Sequence, residues 1–277
     1  MFARLLALPF VVISLALLYV SWEIDSDYAL WMVPPVLIAA LVYIFSPQIN
    51  WWWYLRYPPE LETGLRKLLE RHCGFYGRLD AAQQRVFRNR VALFRMGTDW
   101  MPMAWPDDLL PADVELAIAA QAVTMTFHRE DFLFPGFEKV VVYPKPFPSP
   151  EYLFAHASEL YAPDGCLLFS AEQVMLGFMQ PAAWYNVALH EYAKAYLRCF
   201  PEADFPALDG EEEEVWSRLE AVSGMTRERI EAVIGIAGIE PLPVAIHHYF
   251  TFPGQMQRQM PTVYERLHVV FGGKHSE

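Results

Sequence analysis

Apolar residues run almost without interruption through the first 55 positions, whereas beyond residue 60 they recur at intervals of three and four. Leu5 to Trp22 is apolar apart from two serines, and Ala29 to Phe45 is a second uncharged run. Each lies near the lower limit of about 17 to 20 residues for a helix that crosses a bilayer. The acidic link Glu23-Ile24-Asp25-Ser26-Asp27 leaves room only for a hairpin connection. Pro34-Pro35 would disturb a soluble helix but is tolerated in a membrane span. Trp51-Trp52-Trp53-Tyr54 falls where an aromatic belt is expected, with Arg56 behind it. The first run also resembles a signal peptide, with Arg4 ahead of it. No small-x-small cleavage site follows, however, and a second apolar run comes at once, which favours two spans. Positive charge at Arg4, Arg56, Arg66 and Lys67, set against the acidic link, puts both ends in the cytoplasm. The expectation is a transmembrane hairpin over 1–55 and a soluble domain over 56–277, held at the cytoplasmic membrane and facing inward.

Past Pro58-Pro59 the spacing of Leu61, Leu65, Leu68 and Leu69, and of Phe87, Val91 and Phe94, predicts amphipathic helices over 60–73 and 81–96. Pro111 opens a third helix that runs through Thr126. Lys139 to Tyr143 alternates too little for a half-exposed strand and reads as a buried one, and Cys166 to Phe169 as another. Further helices are expected over 182–200, ended by Pro201, and from the acidic stretch 209–214 onward, where carboxylates suit a helix start. Another runs over 226–234 with Thr226 as N-cap. Pro243 opens a helix carrying His247, Met260 to Phe271 closes the domain, and Gly272 to Glu277 is a tail. The fold class is α+β, mainly helical with a small sheet, preceded by two transmembrane helices.

A net charge of -12 and the lack of any Lys/Arg run in the soluble part argue against a nucleic-acid partner. Three scattered cysteines, Cys73, Cys166 and Cys199, form no Cys-x-x-Cys and read as reduced thiols of a cytosolic domain.

The candidate chemistry lies in His190-Glu191-Tyr192-Ala193-Lys194. In a His-Glu-x-x-His helix the two histidines face one way and bind a zinc ion, while the glutamate activates its water as general base. Here the second histidine is Lys194, whose ammonium has no lone pair for a metal. Taken alone, the five residues read more simply as a helix face with Glu191 and Lys194 paired across one turn. His72, His128, His156 and His268 have no partner at ligand spacing and read as surface or core residues, and Tyr185 and Tyr192 as packing residues.

The blocks around this motif resemble the Mlc titration factor A family of zinc-dependent peptidases. Asn186-Val187-Ala188-Leu189-His190-Glu191-Tyr192-Ala193 matches the family's metal helix most closely. Glu115 to Ala122 is similar to the helix before the active site, and Val140 to Pro144 to its following strand. Leu167 to Ser170 with the stretch to Gly177 resembles the strand and turn before the metal helix. The resemblance implies a zincin-like domain. It also implies that the third zinc ligand falls on His247, in a register set by Tyr249, Phe250 and Pro253. Two departures follow: lysine at the second ligand position and histidine in place of glutamate at the third. One implied reading is a metal-free pseudopeptidase that binds a protein or peptide partner, with the Lys194 ammonium in the space of the zinc and against Glu191. The other is an active zinc peptidase with His190 and His247 as ligands, a further ligand from Glu240 or His248, and Glu191 as base.

Overall fold

The structure, a computed structural model, describes residues 2–272 and divides into two compact units, Met1–Pro59 and Glu60–Glu277. The expected tail, Gly272 apart, lies outside the described residues.

In the first unit, helix α1 (Phe2–Glu23) is followed by a 3-10 segment (Ser26–Met32), α2 (Val33–Ile44) and α3 (Ser46–Arg56). The Asp25 side chain starts the 3-10 segment by accepting from the Asp27 amide at 3.0 Å. Pro34 and Pro35 sit in the first turn of α2 and do not interrupt it, because no intrahelical donor is required there. The second apolar run is therefore a composite of 3-10 and α-helix. Twelve α residues cover only about 18 Å, and the seven 3-10 residues add about 14 Å, which together reach the roughly 30 Å of a bilayer core. Phe2–Glu23 and Ser26–Ile44, with mean hydropathies of 2.3 and 1.7, are both long and apolar enough to cross a membrane. The tryptophan run is helical: α3 lies along α1, Phe2 stacks on Trp53 at 4.0 Å, and the Ala3 amide donates to Asn50 at 2.9 Å.

The second unit begins with α4 (Thr63–His72), the single turn α5 (Gly74–Gly77) and α6 (Ala81–Gly97). Asp80 and Gln83 close a capping box at the start of α6. Strand β1 (Asp99–Pro102), α7 (Ala112–Thr126), β2 (Lys139–Tyr143), β3 (Ser158–Tyr161) and β4 (Cys166–Ser170) follow. Next come α8 (Ala171–Met179), α9 (Val187–Cys199), α10 (Glu212–Ser223), α11 (Arg227–Ile234), α12 (Pro241–Thr251), α13 (Pro253–Gln259) and α14 (Pro261–Phe271). The sheet order is β1-β2-β4-β3, with β1, β2 and β4 parallel and β3 antiparallel to β4 at the edge. Helix α7 is small and apolar on all sides and is buried almost end to end, as a helix without a polar face must be. It packs against α6 and α9, and α9 also touches α12 and β3.

Local signals set several boundaries. Thr226 caps α11, its hydroxyl accepting from the Arg229 amide, and Pro111 precedes α7. Other expectations need correction. The helix expected from Ala182 starts at Val187, because Asn186 caps it and the residues before form a turn. The α12 helix opens at Pro241, two residues before Pro243. The stretch after Ser170, expected as a turn, is the two-turn helix α8.

Helix α8 bears directly on the start of α9. A Cβ on Gly177 would stand 2.6 Å from Asn186 Cα and 2.8 Å from the Tyr185 carbonyl oxygen. Gly177→Ala should therefore force the α9 cap outward and cost about 1–3 kcal/mol, the usual range for overpacking. A thermal melt that coincides with wild type would contradict this close approach.

Candidate functional site

The Asn186 side chain accepts from the Leu189 amide at 3.0 Å and so fixes where α9 begins and which way its residues face. His190 and Lys194 then lie one turn apart, with Glu191 a three-residue step from Lys194. Glu191 is completely buried. Its Oε1 accepts from the Ser158 hydroxyl of β3 at 2.9 Å, and the Lys194 Nζ stands 2.7 Å from Oε2. That second contact is an ion pair within one helical turn. Burial alone would raise the Glu191 pKa. The adjacent Lys194 charge, His190 and the Ser158 hydroxyl outweigh it and hold the carboxyl below its usual range, hence ionised. The Lys194 side chain keeps about a third of its surface exposed (32%), so the ammonium closes Glu191 off from the cleft while touching solvent itself.

His190 is buried behind the same cleft, with Nδ1 2.7 Å from the Tyr185 hydroxyl. Burial, opposed by Glu191 and reinforced by Lys194, pushes its pKa down to about 4, so the ring is neutral at pH 7. Burial, with the Glu191 charge adding to it, keeps the Tyr185 phenol protonated well past its normal range.

His247 lies deeper. Its ring stacks on Tyr185 at 4.1 Å, and its Nε2 accepts from the Asn186 backbone amide at 3.2 Å. An amide can only donate, so Nε2 carries no proton, and the hydrogen of the neutral ring sits on Nδ1. That hydrogen is donated to Nδ1 of His248, 3.1 Å away, which leaves His248 protonated on Nε2. The Leu219 backbone is the polar group facing this ring. Burial holds both rings neutral, His247 well below its ordinary pKa and His248 at about 3. Both nitrogens of His247 are thus committed to protein.

A cleft of about 390 Å³ brings His190, Glu191, Lys194 and Glu240 together, along with Glu159 and Leu160 of β3. Glu240 is exposed at its edge, and His247 and His248 are buried off it. Three contributions escaped the sequence reading. Ser158, far away in sequence, supplies a donor to Glu191. Tyr185 does pack, and its hydroxyl also holds His190. His156 is buried, with Nε2 3.1 Å from Glu159 Oε2. An Asn four residues ahead of a His-Glu pair is a cap signal that could have placed the start of α9, whereas nothing local announces the contacts of Ser158 or Tyr185.

With this arrangement, the chain belongs to the glucose-regulated metallopeptidase M90 family, whose model matches residues 51–218. That span takes in the sheet, α9 and its His-Glu pair and ends before α12. No curated protein matches the sequence. The family implies zinc, and a catalytic zinc takes three protein donors. The donors present do not fit it as they stand. Lys194 offers an ammonium, both His247 nitrogens are engaged, and among the described residues no three His, Cys, Asp or Glu side chains converge on one point.

Removing Lys194 leaves Glu191 buried and uncompensated. Lys194→Ala should destabilise the chain near the lower end of the roughly 3–5 kcal/mol typical of a broken buried pair, since the lysine is partly solvated. Glu191→Gln combined with Lys194→Met should recover much of the loss in thermal melts. A neutral Lys194→Ala would contradict the pairing.

Proposed function

We propose that this chain is a membrane-anchored pseudopeptidase, which holds a protein or peptide partner in the cleft beside α9 without hydrolysing it. The observation that carries this reading is the Lys194 ammonium, 2.7 Å from Glu191 at the position of the family's second metal ligand. Hydrolysis by this family's chemistry needs an activated water and a carboxylate free to take its proton. Both oxygens of Glu191 are already engaged, by Ser158 and by Lys194, and its lowered pKa makes it a weaker base. The cleft itself is retained. It is bordered by β3, the edge strand of the sheet, and a sheet edge is a usual place for an extended peptide to bind.

Two tests bear on this reading. In calorimetric titration of the full chain in detergent, zinc should bind wild type far below one equivalent. Lys194→His should bind more, yet weakly, because His247 must first give up Asn186 and His248. Tight stoichiometric binding by wild type that vanishes in His190→Ala would favour the altered-zinc peptidase instead. For the anchor, the proposal is two spans with an acidic outer loop and, by the positive-inside rule, the second unit in the cytoplasm. A reporter enzyme fused after Glu277 should be active on the cytoplasmic side, and activity on the opposite side would overturn that orientation.

A further inference from the structure

At the start of α9 a second cavity, of about 210 Å³, shares no lining residue with the cleft. It lies where α5, the middle of α7, the end of α8, Asn186 and the end of α12 meet. Helix α7 brings it one unusual residue: Gln121 interrupts a run of apolar side chains between Ala120 and Ala122. Gln121 is 6% exposed and lines the cavity. Among the described residues nothing bonds to its side-chain amide, yet neither its oxygen nor its nitrogen is sealed off from a neighbour in the cavity. An amide has two hydrogens to donate and an oxygen to accept, and leaving them unmade in a protein interior costs stability. The partner that α7 and its neighbours withhold can come from a molecule in the cavity.

Charge and size define what kind of molecule fits. Arg78 lines the same cavity and is exposed, which puts it at the mouth. One arm of its guanidinium donates to the Phe250 carbonyl oxygen at 2.9 Å, and among the described residues no carboxylate pairs with it. The lining holds no Asp or Glu, so this positive charge stands uncompensated. A single guanidinium with free donors matches a single carboxylate. Phe75, Phe178, Phe250 and Phe252 make much of the wall, which suits a flat apolar body. The volume falls below the roughly 300–1,000 Å³ of pockets for drug-sized ligands, so the body is about one ring and not a nucleotide.

We propose that this cavity binds a small aromatic monocarboxylate, with its carboxylate on Arg78, its ring among the phenylalanines and a hydroxyl on Gln121. The hydroxyl gives the amide the partner that the protein lacks. The site is independent of what the cleft holds, since the two share no residue. It is nevertheless next to α9, because Asn186, whose side chain caps that helix, lines the cavity.

The test is a saturation-transfer NMR titration of the full-length chain in detergent, corrected with detergent alone. The probes are para-hydroxybenzoate, its amide para-hydroxybenzamide, and benzoate. Para-hydroxybenzoate should bind about tenfold tighter than its amide, the scale of one charge-assisted contact. It should bind about fivefold tighter than benzoate, the scale of one neutral hydrogen bond. Arg78→Met should erase the preference for the acid, and Gln121→Met the preference for the hydroxyl. Because the Gln121 amide bonds to nothing in the protein, Gln121→Met should melt at or above the wild-type temperature, which separates a lost ligand contact from a lost fold. Should Arg78→Met fold poorly, the acid and amide compared on wild type still test the charge. Acid and amide binding wild type equally would overturn the proposal. So would Gln121→Met keeping the full preference for the hydroxyl, or no saturable binding by any of the three probes.

Discussion

A carboxylate that reaches no solvent must find its compensation inside the protein, and Glu191 is such a group. It projects from the middle of α9 into a space bounded by β3 and the cleft, where Ser158 and Lys194 meet its oxygens. The family places a metal ion in front of this glutamate. Here a residue of the same helix brings the positive charge, and it does so with a side chain rooted one turn away, so no other element has to move. Lys194 beside it keeps buried Glu191 ionised, so the carboxylate depends on the lysine. Lysine at this one position thus gives the site a closed ion pair in front of the glutamate.

The surrounding structure is arranged around that helix. Asn186 works twice: its side chain caps α9, and its backbone amide ties down His247 of α12. The ring of Tyr185 then fills the gap between His190 and His247, and His247 gives its ring hydrogen to His248 beside it. These ties make α12 a wall behind the site, with its histidines turned into protein and away from the cleft. Gly177 lets α8 approach closely enough to hold the cap in place. The cleft in front of α9 is bordered by Glu159 and Leu160 of β3 and, across from them, by the segment from Ile236 to Glu240.

Much of this was legible in the sequence, and the failures have a common cause. The His190-Glu191-Lys194 spacing, the Thr226 cap, the buried strand 139–143 and the start of α7 after Pro111 are all local patterns, and the structure keeps them. The β3 strand was missed because Ser-Glu-Leu-Tyr looks polar; it is buried only because Ser158 and Glu159 find partners 33 residues away and three residues before. The role of His247 depends on the direction of its ring nitrogens, which is set by an amide 61 residues earlier and by its own neighbour. Pro34-Pro35, expected within a span, does lie within the apolar segment Ser26–Ile44, where it opens the α-helical part, since proline position matters more than proline count.

The account stands on one claim, that Lys194 takes the place of the metal against Glu191. Elemental analysis of the wild-type full-length chain, extracted in detergent without chelator and with zinc present during growth, addresses it most directly. The account predicts well under one zinc per chain. One zinc per chain, retained through purification and lost on His190→Ala, would contradict it.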